Sequence, residues 1–258
     1  MNLIKGDCLE KLKELPNKSV DFVYLDLPFN QTAVKWDQIV IDLDALWVQL
    51  KRIARNDRTP FFFSCTTRFG FNLIKANEKW FRWDLVWKKN RAVGFLNAYK
   101  LPMRKHEMVY CFSKKCPEYD VSSHKEYVED KKAHGHHEIY GESKNHKPKG
   151  KRHNDPLPTS DITPPPIDID LEDSPTTWCE FKNDEKTGHR TAKPVALMEF
   201  LLKYWTKPDS VVLDPTMGSG SMGIACKKMG RSFIGIELDD DIYDLACDRI
   251  AKVTDLTV

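Results

Sequence analysis

The chain of 258 residues has no apolar run of the ~18 residues needed to cross a membrane. Met1 to Glu10 lacks the basic and apolar regions of a secretory signal. The expectation is a soluble, cytoplasmic protein with no membrane partner. No CxxC pair occurs, and the seven cysteines (8, 65, 111, 116, 179, 226 and 247) are odd in number and mostly far apart. Neither a disulfide frame nor a zinc site is expected, and the thiols read as reduced. Net charge is nearly absent at +2, so overall charge excludes nothing. Local absences say more. Between Lys88 and Lys105 there is no acid among six bases (Lys88, Lys89, Arg91, Lys100, Arg104, Lys105), and Phe95 and Tyr99 are interleaved. Such a stretch suits phosphate neutralisation with aromatics free to meet bases. Lys144, Lys147, Lys149, Lys151 and Arg152 form a second cluster, for which a solvated loop is an equal reading. Asp155 to Asp173 holds six acids, several prolines and no base, which predicts an extended, exposed linker or flap.

No internal repeat is visible, and the apolar runs are short. They lie at Phe22 to Leu25, Pro60 to Ser64, Met108 to Phe112, Val211 to Leu213 and Phe233 to Leu238, with weaker candidates at Asn2 to Ile4 and Leu85 to Trp87. Continuity without alternation indicates strands covered on both faces. Leu43, Leu46, Trp47, Leu50 and Ile53 form a helical stripe between two of them. Pro194, read at a first helical position, starts another helix bearing Met198, Leu201, Leu202 and Trp205. Strands alternating with helices predict an α/β fold with a mainly parallel sheet. The block from about 114 to 180 breaks this rhythm and reads as an insertion.

Two segments follow strand candidates and carry chemistry. Gly218-Ser219-Gly220-Ser221-Met222-Gly223 matches GxGxxG, and Glu237 follows its second glycine by 17 residues, at the end of the next strand. The spacing puts a carboxylate near a ribose and lets a ligand approach the backbone. A nicotinamide oxidoreductase is one reading, but it gives no role to Asp26-Leu27-Pro28-Phe29. A tight turn with no ligand is another. The second segment suits an exocyclic amine on a nucleobase, whose lone pair is delocalised into the ring. Asp26 could accept one amine hydrogen and the Leu27 carbonyl the other, drawing the lone pair back onto nitrogen. Pro28 would fix the turn, and Phe29 would stack on the base. An acid capping a strand-end turn is the plain alternative for these four residues alone.

Together these segments resemble the β class of DNA amino-methyltransferases, which use S-adenosylmethionine. The family's Asp-Pro-Pro-Tyr corresponds to Asp26-Leu27-Pro28-Phe29, and its Asp-Pro-Phe-x-Gly-Ser-Gly to Asp214-Pro215-Thr216-Met217-Gly218-Ser219-Gly220. His189-Arg190-Thr191-Ala192-Lys193-Pro194 matches its His-x-Thr-x-Lys-Pro. Gly235-Ile236-Glu237-Leu238-Asp239 resembles its ribose-binding strand end, and Gly6-Asp7-Cys8 its N-terminal Gly-Asp. His106-Glu107-Met108-Val109-Tyr110 resembles the strand before its recognition insertion. Leu27, Phe29 and Thr216 depart from the family's proline, tyrosine and phenylalanine.

The resemblance implies a circularly permuted Rossmann-like methyltransferase sheet of about seven strands. Residues 1–113 would form the catalytic half, 114–180 the target-recognition insertion and linker, and 181–258 the S-adenosylmethionine half. Cofactor contacts are implied for Asp7, Cys8, Asp26, His189, Thr191, Lys193, Asp214, Pro215, Thr216, Gly218, Ser219, Gly220, Ser221, Glu237 and Leu238. DNA contacts are expected from Lys35, Lys88, Lys89, Arg91, Tyr99, Arg104, Lys105, Lys147, Lys149, Lys151 and Arg152. The implied reaction is methylation at N6 of an adenine flipped from double-stranded DNA. An aspartate at the first catalytic position resembles adenine enzymes, and cytosine-N4 methylation is the alternative. RNA methylation and a silent DNA-binding module rank lower, and a homodimer is compatible with the class. Trp36-Asp37 would order the loop closing over the base. His134, His136 and His137 with Cys111 and Cys116 fit no zinc spacing, and no metal is expected. Ser64-Cys65 reads as a strand end with no base beside it. Trp80, Trp83 and Trp87 read as core.

Overall fold

The computed structural model describes residues 1–30, 38–120, 176–184, 187–188 and 191–254. Among the described residues there are eight strands, seven of them on the apolar runs: β1 Asn2–Lys5, β2 Phe22–Leu25, β3 Phe61–Cys65, β4 Phe81–Val93, β5 Arg104–Phe112, β6 Trp178–Glu180, β7 Val211–Asp214 and β8 Ser232–Glu237, with β6 the one on no such run. Six α-helices accompany them: α1 Cys8–Glu14, α2 Leu43–Ile53, α3 Thr67–Ala76, α4 Val195–Trp205, α5 Ser221–Lys228 and α6 Asp240–Ala251. Acids set several starts by accepting orphan amides of the first turn. Asp7 caps α1, Asp42 caps α2 and Asp239 caps α6. Pro194 lies one residue outside α4, as its cap and not its first residue, and the Val195 amide donates to Asp184.

The strands form one sheet in the order β1-β8-β7-β2-β3-β5-β4-β6. All neighbouring pairs are parallel except the two involving β5, which runs against both β3 and β4. The α/β, mainly parallel architecture expected from the sequence is present. Eight strands replace the expected seven because the three residues of β6 pair with β4 from within the stretch read as insertion and linker. The compact unit to which the described residues belong runs from Met1 to Asp120 and resumes at Pro175. β4 and β5 also extend beyond their apolar stretches. Their outer halves are exposed, so no continuous apolar signal marks them.

Alternation along the central strands feeds two cores. Phe22, Tyr24, Phe62 and Val212 face α4, α5 and α6, with Trp87 in the same core. Val23, Leu25, Phe61, Phe63 and Leu213 face α1, α2 and α3. Trp83 packs on Phe62 and Trp205, and Trp80 on Trp47 and Phe61, so all three tryptophans are packing residues as read from the sequence. Because α2 follows β2 on one face and α5 follows β7 on the other, the adjacent strands β2 and β7 flank the point where the connections diverge. A crevice opens there at the carboxyl ends of the strands. No described helix is long and apolar enough to cross a membrane.

Candidate active site

Asp26 and Asp214 stand at the ends of these two neighbouring strands. Beyond β7 the chain turns through Gly218, at φ +50°, and Gly220, at φ +79°, into α5. Open space lies where a Gly218 side chain would begin, whereas one at Gly220 would meet Ile250 and Ala246 of α6. Gly220 therefore serves turn and packing and does not line the cleft. Gly223, the third glycine of the motif, similarly lets α5 close on Phe233 and Ile250. Arg249 on α6 pins the loop by donating to the Ser219 hydroxyl at 2.8 Å and to its carbonyl.

The strand end of β8 is tied to the same loop. The Gly218 amide donates to Glu237 Oε2 at 2.9 Å, while the Leu238 and Asp239 amides donate to Oε1 at 2.9 and 3.0 Å. The Thr216 amide donates to the buried Asp214 carboxylate at 3.1 Å. Burial pushes the Asp214 carboxyl well above the ordinary carboxylate range, against the pull of that amide. Cys8 is buried at the start of α1, and burial with nearby Asp7 pushes its thiol up to about 11, so it is no nucleophile.

Asp7, Cys8, Asp26, Thr191, Pro215, Thr216, Gly218, Glu237 and Leu238 line one cleft of about 130 Å³. These are nine of the residues expected to meet the cofactor. Gly6, Pro28, Ile39, Ile41, Asp239 and Ile242, to which the sequence reading gave no cofactor contact, line it too. A small adjoining cavity of about 30 Å³ takes in Lys193, Asp214, Ser219 and Ser221. There the buried Ser221 hydroxyl has no hydrogen-bond partner among the described residues. A second cleft, about 290 Å³, is lined by Phe29, Leu43, Arg68, Phe69 and Asn72, and meets the first at Pro28, Ile39 and Ile41. The ring of Phe29 lies 5.2 Å from that of Phe69 on α3, and Leu27 is buried in the core below.

Lys193, expected at the cofactor, directs its ammonium to Asp26 Oδ2 at 2.5 Å. It also lies 3.5 Å from Glu107 on β5, whose other oxygen is bonded by Lys89 on β4. Lys89 thus points inward. As i+2 of the buried Trp87 it occupies the same strand face, with its ammonium 5.1 Å from that ring. Lys88 faces the other way and pairs with Glu180 on β6 at 2.8 Å. Arg91, Tyr99, Arg104 and Lys105 are exposed around the β4–β5 hairpin. Glu107 escaped the sequence reading. The signal available was a lone acid directly after the acid-free basic stretch, at a strand position facing inward. Ser64 is buried and shares a 2.6 Å hydrogen bond with the Tyr24 hydroxyl, and burial drives the Cys65 thiol up, as a strand end requires.

Among the described residues no cluster of three or more potential ligands could hold a metal. Lys35, Trp36, Asp37, His134, His136, His137, Lys147, Lys149, Lys151, Arg152 and His189 lie outside the described residues.

Residues 20–248 match the family described as DNA methylase, of the N6/N4 methyltransferase type. The chain belongs to this family. It is similar to the type II methyltransferase M.HinfI of Haemophilus influenzae, 25% identical over 97% of this chain and 68% of that protein. It is also similar to the DNA adenine methyltransferase YhdJ of Escherichia coli K12, at 24% identity over 96% of this chain and 82% of the relative. The fold matches that of the M1.HpyAVI complex with SAM at a TM-score of 0.59 and 23% identity, covering 96% and 98% of the two chains.

Proposed function

We propose that this DNA methylase transfers the methyl group of S-adenosylmethionine to N6 of an adenine turned out of duplex DNA. The observation that carries the reading is Asp26. Its carboxylate lines the first cleft at the carboxyl edge of the sheet, and Pro28, two residues on, is shared with the neighbouring cleft walled by Phe29 and Phe69.

The residues present fit the cofactor. Ile39, Ile41, Leu238 and Ile242 offer an apolar wall for a flat ring, and Asp7, Glu237 and Asp239 offer carboxylates for hydroxyls and for positive charge. The open side of Gly218 leaves the backbone accessible to a ligand. When bound, S-adenosylmethionine supplies an electrophilic methyl on a sulfonium sulfur.

The rest of the chemistry falls to this chain. Phe29 stacks on the extruded base, and the Leu27 carbonyl and Asp26 Oδ1 each accept an amine hydrogen, localising the nitrogen lone pair. On accepting the methyl that the cofactor would supply, with its thioether left behind, the amine nitrogen would become cationic and Asp26 would take up its proton. Extruding the base costs a few kcal/mol, which contacts from the exposed bases of the β4–β5 hairpin offset. Duplex DNA of a bacterial or phage-infected cytoplasm is the partner this surface suits. The aspartate supports adenine over cytosine, because it offers the amine a full negative charge and need not donate.

The test is Asp26→Ala. Methyl transfer from labelled cofactor to duplex DNA should vanish, with cofactor affinity by calorimetry within a few-fold of wild type. Loss of cofactor binding in a folded variant would reassign Asp26.

A further inference from the structure

The charges behind Asp26 alternate in sign and are almost closed to solvent. Lys89, Glu107, Lys193 and Asp26 run in that order from β4 through β5 to the end of β2, with side-chain exposures of 13, 12, 9 and 25%. Burying four charges is costly unless each meets its opposite. A carboxylate that needed only a stable ion pair could have paired with one lysine at the surface.

The geometry is asymmetric at both carboxylates. On Asp26, Oδ2 takes the Lys193 ammonium at 2.5 Å, and the Asp26 amide is separately held by the Thr216 hydroxyl at 3.3 Å. Oδ1 carries no hydrogen bond among the described residues. On Glu107, Oε1 takes Lys89, while the buried Oε2 has no hydrogen-bond partner among the described residues and lies 3.5 Å from Lys193 as an ion pair. Glu107 therefore holds Lys193 by charge and leaves its best hydrogen bond to Asp26.

We infer that Lys193 and Glu107 are positioning residues for the reaction: Lys193 occupies one oxygen of Asp26 and keeps the other ionised and turned to the incoming amine, and Glu107, fixed by Lys89, keeps Lys193 in place. The inference rests on the reading of Asp26 as the amine acceptor. Neither residue touches the substrate in this scheme. Both act through Asp26.

The groups around Asp26 act on it with opposite signs. Burial pushes its carboxyl above the ordinary range, Lys193 and then Lys89 draw it back, and Glu107 adds to the upward push. Asp214 on β7 is a second acid beside it, its own carboxyl pushed well up by burial. Tyr24 on β2 and Cys65 on β3 are kept neutral by burial. Glu107 stays ionised because Lys193 and Lys89 outweigh its burial, and both carboxylates hold Lys193 protonated despite its own.

Two substitutions should move Asp26 in opposite directions. Lys193→Met removes the positive charge, so the carboxyl should titrate at least one pH unit higher. Glu107→Gln keeps the shape and removes a negative charge, so it should titrate lower. The experiment follows the Asp26 carboxyl by carbon-13 NMR in the full-length wild type and both variants, alongside single-turnover methylation of duplex DNA across pH. Thermal melting and cofactor binding report on folding.

The expected result is that the acid limb of the rate profile follows the carboxyl: up for Lys193→Met, down for Glu107→Gln, with cofactor affinity within about threefold. Lys193→Met should lose at least tenfold in rate near neutrality and regain part of it at higher pH. A uniform loss at all pH values with an unmoved carboxyl, in either folded variant, would overturn the inference. Should the carboxyl move and the rate limb stay fixed, Asp26 is not the acceptor and the functional reading itself fails. Glu107→Gln carries the test if Lys193→Met does not fold.

Discussion

The amide of Asp26 donates to the hydroxyl of Thr216 at 3.3 Å, joining two residues 190 positions apart. One, at the end of β2, is the proposed target-amine acceptor, and the other begins the glycine loop at the cleft proposed for the cofactor. The resemblance placed phenylalanine at position 216, and the hydroxyl gives this chain a direct tie that an aromatic could not make. The Thr216 amide in turn donates to Asp214, so the strand ends of β2 and β7 hold each other in register.

Thr216→Val keeps the shape and removes that tie. A hydrogen bond of this kind contributes about 1 kcal/mol net. The single-turnover rate should fall roughly in proportion while cofactor affinity changes less, as stopped-flow methylation and calorimetry would show. An unchanged rate would mean the tie does not orient Asp26.

Glu237 collects three amides from the glycine loop and its own strand end, so it shapes the cleft as well as lining it. Glu237→Ala should weaken cofactor binding by about 1–3 kcal/mol, the scale for losing a charged hydrogen-bond partner. Gly220→Ala should act differently. It strains a left-handed turn and presses on Ile250, so the melting temperature should fall before cofactor affinity does. The reverse pattern, weaker affinity at unchanged melting temperature, would put Gly220 in the cleft.

How much of this was legible in the sequence depends on the range of the interaction concerned. Asp26, the glycine loop and Glu237 each announce themselves because strand, turn and chemistry are contiguous in the chain. The central strands read correctly because burial on both faces leaves continuous apolar runs. The outer halves of β4 and β5 were not legible, since their residues face solvent and carry no apolar signal. Lys193 read as a cofactor residue because it precedes α4 within a motif, while its partner Asp26 is 167 positions away. Lys88 and Lys89 read as one basic pair, yet once they lie on a strand they must face opposite sides. Only Lys88 remains near the surface.

That distinction has a consequence for DNA binding. Neutralising Arg91, Lys100, Arg104 and Lys105 together should weaken binding to every sequence and flatten the salt dependence of log K by about 0.9 for each phosphate no longer neutralised. Lys89→Met should leave the slope unchanged and lower the methylation rate, because its partner is Glu107. Fluorescence anisotropy at several salt concentrations separates the two. An unaltered slope in the quadruple variant would show that the hairpin bases do not meet phosphate.

The identity of the methylated atom tests the account most directly. The family includes both N6 and N4 enzymes, so fold does not choose between them, and the choice rests on the carboxylate of Asp26. Plasmid DNA lacking prior methylation should be incubated with the wild-type protein and S-adenosylmethionine, digested to nucleosides and analysed by mass spectrometry. N6-methyladenine is the expected product, absent with Asp26→Ala. Recovery of N4-methylcytosine as the sole methylated nucleoside would contradict the account.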